Sequence, residues 1–262
     1  MSMNKSVYIF LFAYVFLSPL SYGRDTQGLL RQIFGASSSE KFSFHEPTYF
    51  VFGDDDLKLQ FGFKYRLLKN NNLYFAYTQL MFWEIYDESK PFKDVNYRPE
   101  LFYRLVESDS AFSSLDAGYM HHSNGQDRED SRSLDRIFIR ATFLNRLNRH
   151  YIGSVVKIYN IYNEDDTNKD IVNHLGYWEI MMFITDIATI NENSIDLSLR
   201  TYAGSKGYDI DQGGNEFGLI YNFVESSVNP SIYLQWFEGF AENLLSYKKK
   251  RSELRLGLFL SF

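Results

Sequence analysis

Hydrophobic and polar residues alternate along several stretches of this chain with the period of two that a β-strand imposes on its side chains. In residues 57–67 the odd-numbered positions are apolar or aromatic, while the even-numbered positions are charged, amide or glycine. Similar alternation recurs at residues 195–201 and 254–262. A water-soluble sandwich also alternates, but here the polar and glycine positions fit a lumen and the continuous apolar band fits lipid. The pattern therefore predicts an all-β fold, a transmembrane antiparallel β-barrel.

The alternating stretches predict about twelve strands of about ten residues, the length that a tilted membrane strand needs. The longer and more acidic links, such as residues 87–95, are expected at the extracellular end. The chain ends on Phe262, which closes an apolar strand and resembles the C-terminal strand of bacterial outer-membrane barrels. The predicted strands are 46–53, 57–68, 73–86, 96–106, 114–124, 131–146, 150–162, 173–187, 193–204, 214–225, 230–247 and 251–262.

The first residues have the organisation of a secretory signal. Lys5 supplies a positive charge, residues 7–17 form an unbroken apolar run, and small residues follow at a cleavage site. Such a run, followed by Pro19, is short for a spanning helix, although an uncleaved anchor is the alternative. We therefore expect a cleaved signal peptide at residues 1–23 and a single barrel domain at residues 24–262.

Composition narrows the function further. Aromatic residues make up 18% of the chain, with 24 Phe and 20 Tyr, which is high for an ordinary soluble domain and fits a membrane barrel. The chain contains no cysteine, which excludes disulfides, zinc–thiolate sites and thiol catalysis. The net charge of −6 argues against a nucleic-acid partner.

Candidate chemistry is concentrated in residues 119–136. His121 and Ser123 are two positions apart and therefore share one face of a strand. If the next segment folds back as a hairpin, Asp135 lies opposite His121, which lines up a hydroxyl, an imidazole and a carboxylate as nucleophilic hydrolysis requires. These residues share the parity of the apolar, lipid-facing positions, where an ionisable side chain indicates function. The predicted substrate is an ester presented at a membrane face, with a phospholipid as the obvious candidate.

Two neighbouring features complete this candidate site. Gly125, which has no side chain in the way, can offer its backbone N–H to a developing oxyanion. Residues 126–133 form an oxygen-rich turn, either a solvated extracellular loop or a calcium site. On another strand, Gln79 shares the parity of a lipid-facing stripe. An amide there needs a partner, which favours a protein contact within the membrane unless it lies above the hydrocarbon band.

The chain resembles the outer membrane phospholipase A family of Gram-negative bacteria. Residues 119–125 match its Y-x-H-x-S-N-G signature, and Ser131, Ser133 and Arg136 match the S-R-S-x-x-R that follows. Further matches lie at residues 77–79, 89–92, 96–102, 176–177 and 239–244. The resemblance implies a twelve-stranded outer-membrane barrel that hydrolyses sn-1 and sn-2 acyl esters of phospholipids and lysophospholipids, with Ca²⁺ as cofactor.

Carried over by position, the resemblance implies a role for several residues. His121 is the base and Ser123 the nucleophile. The hydroxyl of Ser131 and the backbone carbonyl of Gln126 bind calcium. The resemblance also implies that activity depends on a homodimer, in which the partner chain supplies a further calcium ligand. The residue matching that ligand is Ser89, and Gln79 matches a residue at the dimer interface.

The chain departs from the family pattern at two of these positions. Asp135 stands where the best-known members have asparagine, and Gln126 stands where an arginine is frequent. An ionised carboxylate is expected to bond His121 at least as strongly as an amide, so a Ser-His-Asp mechanism is predicted, with an altered pH dependence. Two rivals are a non-enzymatic pore or structural barrel, and a calcium-independent esterase acting on lipopolysaccharide acyl chains.

Overall fold

A closed antiparallel sheet forms the molecule in the computed structural model, which describes residues 41–68, 71–204, 209–223 and 229–261. The expected signal peptide and Phe262 lie outside the described residues. Strands β2 to β13 form a closed ring in which each pairs with the strand on either side, and the short β1 pairs in addition with β3. The predicted twelve-stranded barrel is therefore confirmed. The described strands are β1 (Phe42–Phe44), β2 (Thr48–Phe52), β3 (Leu57–Arg66), β4 (Leu73–Trp83), β5 (Phe92–Glu107), β6 (Phe112–Ser123), β7 (Ser133–Leu147), β8 (His150–Glu164), β9 (Trp178–Ile190), β10 (Asn193–Tyr202), β11 (Gly214–Asn222), β12 (Asn229–Gly239) and β13 (Arg251–Ser261).

The long connections gather at one end of this barrel, which we call the long-loop end. It carries residues 84–91, 124–132, 165–177 and 240–250, whereas β7 and β8 are joined at the opposite end by residues 148–149. Among the described residues, no helix has the length and apolar character needed to cross a bilayer.

Two of the predicted strands include residues that do not form a strand in the structure. Residues 173–187 were expected as one strand, but a short helix occupies Val172–Leu175 and β9 begins only at Trp178. Residues 230–247 were expected as another, but β12 ends at Gly239. The prediction was wrong here because Leu175, Leu244 and Tyr247 are buried in an apolar cluster beneath the long loops, so their hydrophobicity reflects loop packing rather than a strand.

Ion pairs fill the lumen. Arg140 lies 2.8 Å from Glu100 and 3.1 Å from Asp116, and Arg104 lies 2.8 Å from Asp116. Lys58 lies 2.6 Å from Glu216. Opposite charges buried together satisfy each other where water is scarce, which is how a small barrel packs its interior. An interior packed with paired charges does not favour the pore reading.

Removing one partner of this network is expected to destabilise the barrel strongly. Arg140→Ala removes the buried cation that the Glu100 and Asp116 carboxylates share, which should lower the free energy of unfolding by about 3–5 kcal/mol. Urea unfolding in lipid vesicles measures this value. Arg149→Ala, in the exposed β7–β8 turn, is the control and should change it by less than about 0.5 kcal/mol. Equal losses in the two variants would contradict the role assigned to the lumen pairs.

Candidate functional site

The β6–β7 hairpin brings the candidate residues together on the outer surface of the barrel. His121 pairs directly with Asp135 across the two strands, and Ser123 pairs with Ser133. Asp135 faces outward on β7, because Ile137, two positions along the same strand, is 60% exposed. His121 and Ser123 therefore lie side by side on the lipid-facing side, at the edge next to the long loops.

Asp135 accepts hydrogen bonds from both neighbouring strands. Its Oδ1 lies 2.8 Å from His121 Nδ1 and accepts a 2.8 Å bond from the Tyr119 hydroxyl, both on β6. Its Oδ2 accepts a 2.6 Å bond from Asn163 Nδ2 on β8. When His121 Nδ1 donates to the carboxylate, Nε2 is the ring nitrogen that can accept a proton. The Asp135 side chain is only 12% exposed, so these protein donors replace solvent around it.

Gly125 follows β6 in a conformation that favours glycine. Its φ is +65°, in the left-handed region, and a Cβ built there would lie 2.9 Å from Cε2 of Tyr97. Tyr97 belongs to β5 and pairs with Ser123. The chain can therefore turn tightly past Ser123 while staying in contact with the neighbouring aromatic ring.

Asn124 holds the two ends of the oxygen-rich loop together. Its buried side-chain carbonyl accepts a 2.9 Å bond from Arg132 N and a 3.4 Å bond from Gln126 N. Its Nδ2 donates a 2.9 Å bond to the carbonyl of Asp130. The Arg132 side chain also contributes, because its Nη1 donates to the loop carbonyls of Glu129 and Ser131.

Loss of the Asn124 side chain should loosen this loop. Asn124→Ala leaves the Arg132 amide without its acceptor at a cost of about 1–3 kcal/mol, so exchange of that amide hydrogen should accelerate about 10- to 100-fold. Hydrogen-exchange mass spectrometry of the peptide spanning Arg132 measures the change. The exposed Asn145, near the far end of β7, provides the control variant Asn145→Ala. Unchanged exchange at Arg132 would show that Asn124 does not organise the loop.

Ser131 lies beside a carboxylate from the next long loop. Its Oγ donates a 2.9 Å hydrogen bond to Asp165 Oδ2, and the Thr167 hydroxyl donates to the Ser131 carbonyl. The Thr167 backbone N–H, followed by the hydroxyls of Ser131 and Thr167, holds the pKa of the Asp165 carboxyl below its usual value. A hydroxyl and a carboxylate whose charged form is stabilised by hydrogen bonds are thus held together at the long-loop end.

The other two predicted metal ligands occupy exposed loop positions. Gln126 is exposed in the loop after β6, five positions before Ser131. Ser89 is exposed in the loop 84–91 between β4 and β5. Within the described part of a single chain, Ser89 makes no hydrogen bond to the oxygen ligands on the other loop.

Gln79 lies in the same row across the outer surface as the candidate nucleophile. It pairs with Tyr97, which in turn pairs with Ser123, so the two positions are separated only by β5. The Gln79 amide finds partners along its own strand. Its Oε1 accepts a 2.7 Å bond from the Tyr77 hydroxyl, and its Nε2 lies 3.2 Å from the sulfur of Met81. An interface role for Gln79 therefore remains a prediction that does not rest on an unpaired amide.

A second group of potential ligands lies in the lumen. Ligand atoms of His45, Glu46 and Glu100 lie within 4.8 Å of one another. Cations already neutralise both carboxylates, because Glu46 lies 3.2 Å from Arg98 and Glu100 lies 2.8 Å from Arg140. The group is better described as part of the lumen ion-pair network than as a metal site.

Three residues of the site were missed by sequence reasoning, namely Asn163, Asp165 and Asn124. The first two come from the β8 end and the following loop, whose approach to β7 depends on strand register and loop packing. Only Asn124 carried a sequence signal, because it stands inside the matched signature between Ser123 and Gly125. The hairpin thus places a carboxylate, an imidazole and a hydroxyl next to one another on the outward face, which is the set of groups that acyl transfer uses.

Known proteins are similar to this chain in both sequence and fold. The family model described as phospholipase A1 matches residues 30–260. Phospholipase A1 of Escherichia coli (strain K12) is 28% identical over 219 residues, covering 79% of this chain and 70% of that protein. A putative phospholipase A1 of Neisseria meningitidis serogroup B is 28% identical over 223 residues, covering 79% of this chain and 54% of that protein.

Two solved structures share the barrel. The Salmonella typhi outer membrane phospholipase dimer with bound calcium aligns with a TM-score of 0.71 at 22% identity, covering 89% of this chain and 98% of that chain. Outer membrane phospholipase A from Escherichia coli aligns with a TM-score of 0.69 at 20% identity, covering 90% and 96%. Because the family model spans most of the sequence, the expected family is confirmed, and the chain belongs to the phospholipase A1 family.

Proposed function

We propose that this chain is a calcium-dependent outer-membrane phospholipase that hydrolyses sn-1 and sn-2 acyl esters of phospholipids and lysophospholipids and is activated by homodimerisation. The observation that carries the proposal is the row of Ser123, His121 and Asp135 on the outward face of a closed barrel. A phospholipid in the outer leaflet reaches that face directly, at the level of the long loops. Membership of the phospholipase A1 family supports the same reaction class.

The proposed reaction uses the side chains of this row. His121 Nε2 takes the proton of Ser123 as its Oγ attacks the ester carbonyl, and Asp135 stabilises the imidazolium that forms. The ester C–O bond breaks, and the leaving lysophospholipid alcohol receives the proton from His121. Water then attacks the acyl-serine with His121 again as base, which releases the fatty acid and regenerates Ser123. The Gly125 backbone N–H is the proposed donor to the oxyanion in both steps.

Calcium fits the oxygen atoms that the loops present. Ca²⁺ binds hydroxyl, carbonyl and carboxylate oxygens, and the Ser131 hydroxyl lies 2.9 Å from an Asp165 carboxylate oxygen, a spacing suited to two ligands of one ion. We propose Ser131 and the backbone carbonyl of Gln126 as ligands, with Asp165 contributing negative charge beside them. When bound, calcium supplies positive charge that stabilises the oxyanion.

A second copy of the chain is the proposed source of the remaining ligand, Ser89. This residue is exposed in the β4–β5 loop and makes no hydrogen bond to Ser131 within the described residues of one chain. Gln79, on β4, is proposed at the interface because it lies in the same surface row as Ser123. The Salmonella typhi structure, a dimer with bound calcium, supports such an assembly.

Fatty-acid release from phospholipids with different labelled chains at sn-1 and sn-2 tests the proposal. Refolded protein in mixed phospholipid–detergent micelles should release both chains in the presence of calcium. Release from lipopolysaccharide that persists in EDTA would favour the esterase alternative. Absence of any release, together with conductance in planar bilayers, would favour a pore.

A further inference from the structure

We propose that Asn163 and Tyr119 are positioning residues that hold the Asp135 carboxylate in place against His121 on the lipid-facing surface. The inference rests on the hydrolase function proposed above and adds two side chains to it. Each of them bonds the acid rather than the reacting atoms. Tyr119 shares Oδ1 of Asp135 with His121, at 2.8 Å each, and Asn163 bonds Oδ2 at 2.6 Å.

A local irregularity in β8 aims Asn163 at this site. Arg136 pairs with Ile161, whereas Asp135, one position earlier, pairs with Asn163, so Tyr162 is an extra residue on β8. By simple alternation the exposed residues Asn160 and Tyr162 face outward and Asn163 would face the lumen. The bulge reverses that orientation and turns the Asn163 amide outward. Without it, Tyr162 rather than Asn163 would pair with Asp135.

The surroundings explain why such donors are needed. A carboxylate on a face that meets lipid cannot depend on water for its hydrogen bonds, and an unsatisfied charge there is costly. The Asp135 side chain is 12% exposed and the His121 side chain is 39% exposed. Tyr119 and His121 on β6 and Asn163 on β8 together bond both carboxylate oxygens. These bonds restrict rotation of the carboxylate. Asp135 therefore presents one fixed oxygen to the imidazole.

Removing either donor should alter the pH dependence of the reaction as well as its rate. In Asn163→Ala the carboxylate loses a hydrogen bond that favours its charged form, so the His121–Asp135 pair should take up its inactivating proton at higher pH. We expect kcat/KM to fall about 10-fold or more and the acidic limb of its pH profile to move upward by roughly half to one pH unit. Tyr119→Phe should act in the same direction. The other titratable groups facing the pair are Tyr119 on β6 and Tyr162 on β8.

The test measures pH profiles of kcat/KM for these variants alongside Asn160→Ala. Asn160 is an exposed asparagine on the same strand and outward face, opposite Ile137, and its replacement should leave the profile unchanged. Folding of each variant is verified by the unfolding transition of the barrel. A fall in rate with an unmoved acidic limb in both Asn163→Ala and Tyr119→Phe would overturn the inference and leave only an interstrand packing role.

A second readout separates this inference from the proposed function. Nitrogen-15 NMR of labelled histidine follows the titration of His121 directly and requires no substrate. An upward shift of its midpoint in Asn163→Ala, with Asn160→Ala unchanged, supports the positioning role even if no phospholipid is hydrolysed. An unshifted midpoint in an active protein would overturn the positioning role and leave the hydrolase proposal intact.

Discussion

Replacing Ser123 with alanine is expected to reduce fatty-acid release by at least about 1,000-fold, because the variant has no oxygen with which to form the acyl intermediate. The fold should be unaffected, since Ser123 ends β6 on the outer surface and its backbone pairings with Tyr97 and Ser133 do not involve the side chain. The measurement is the initial rate of release from phospholipid–detergent micelles in calcium.

Ser154→Ala is a suitable control for this variant. Ser154 also points outward, since it pairs with Phe143 on the apolar face, but it lies toward the opposite end of β8. Its replacement should leave the rate within about twofold, as expected for a surface change away from the site. If Ser123→Ala retains the activity of the unmodified protein, another nucleophile performs the reaction and the proposed mechanism is wrong.

Removing calcium is expected to reduce the rate by at least about 100-fold, which is the effect of losing one major oxyanion stabiliser. Added Ca²⁺ should restore activity, whereas Mg²⁺ should not, because it is smaller and requires stricter octahedral geometry. Ser131→Ala should raise the calcium concentration for half activation about 10-fold, while saturating calcium restores most of the rate. Titration of activity against free calcium measures each effect.

The lowered pKa of Asp165 determines how this calcium requirement should depend on pH. Its carboxyl remains charged above the usual carboxyl pKa of about 4, because the Thr167 N–H and nearby hydroxyls stabilise the charged form. The concentration for half activation should therefore stay constant between about pH 6 and about pH 9. Activity that survives EDTA would contradict the calcium proposal and favour the esterase alternative.

The sequence was sufficient to predict the barrel and the hairpin geometry of the site. Side chains alternate between the two faces of a strand with a fixed period. The positions of His121 and Ser123 relative to the apolar residues therefore predicted that both face lipid, and the hairpin pairing predicted Asp135 opposite His121. Parity fails where the register shifts, which is why the Asn163 contact with Asp135 could not be predicted. Periodicity also cannot identify an irregular segment. Leu244 and Tyr247, in the connection after β12, are apolar because they are buried in the cluster beneath the long loops. Asp165 approaches Ser131 through loop packing.

Covalent trapping of Ser123 tests the central claim most directly, because it identifies the nucleophile rather than inferring it from a loss of rate. The folded protein is treated in calcium with a long-chain alkyl sulfonyl fluoride, which reacts with activated serines, and modified peptides are identified by mass spectrometry. We predict one modification, on Ser123, which is absent in His121→Ala and strongly reduced in EDTA. A folded, calcium-loaded dimer that is labelled at another serine, or at none, would contradict the account.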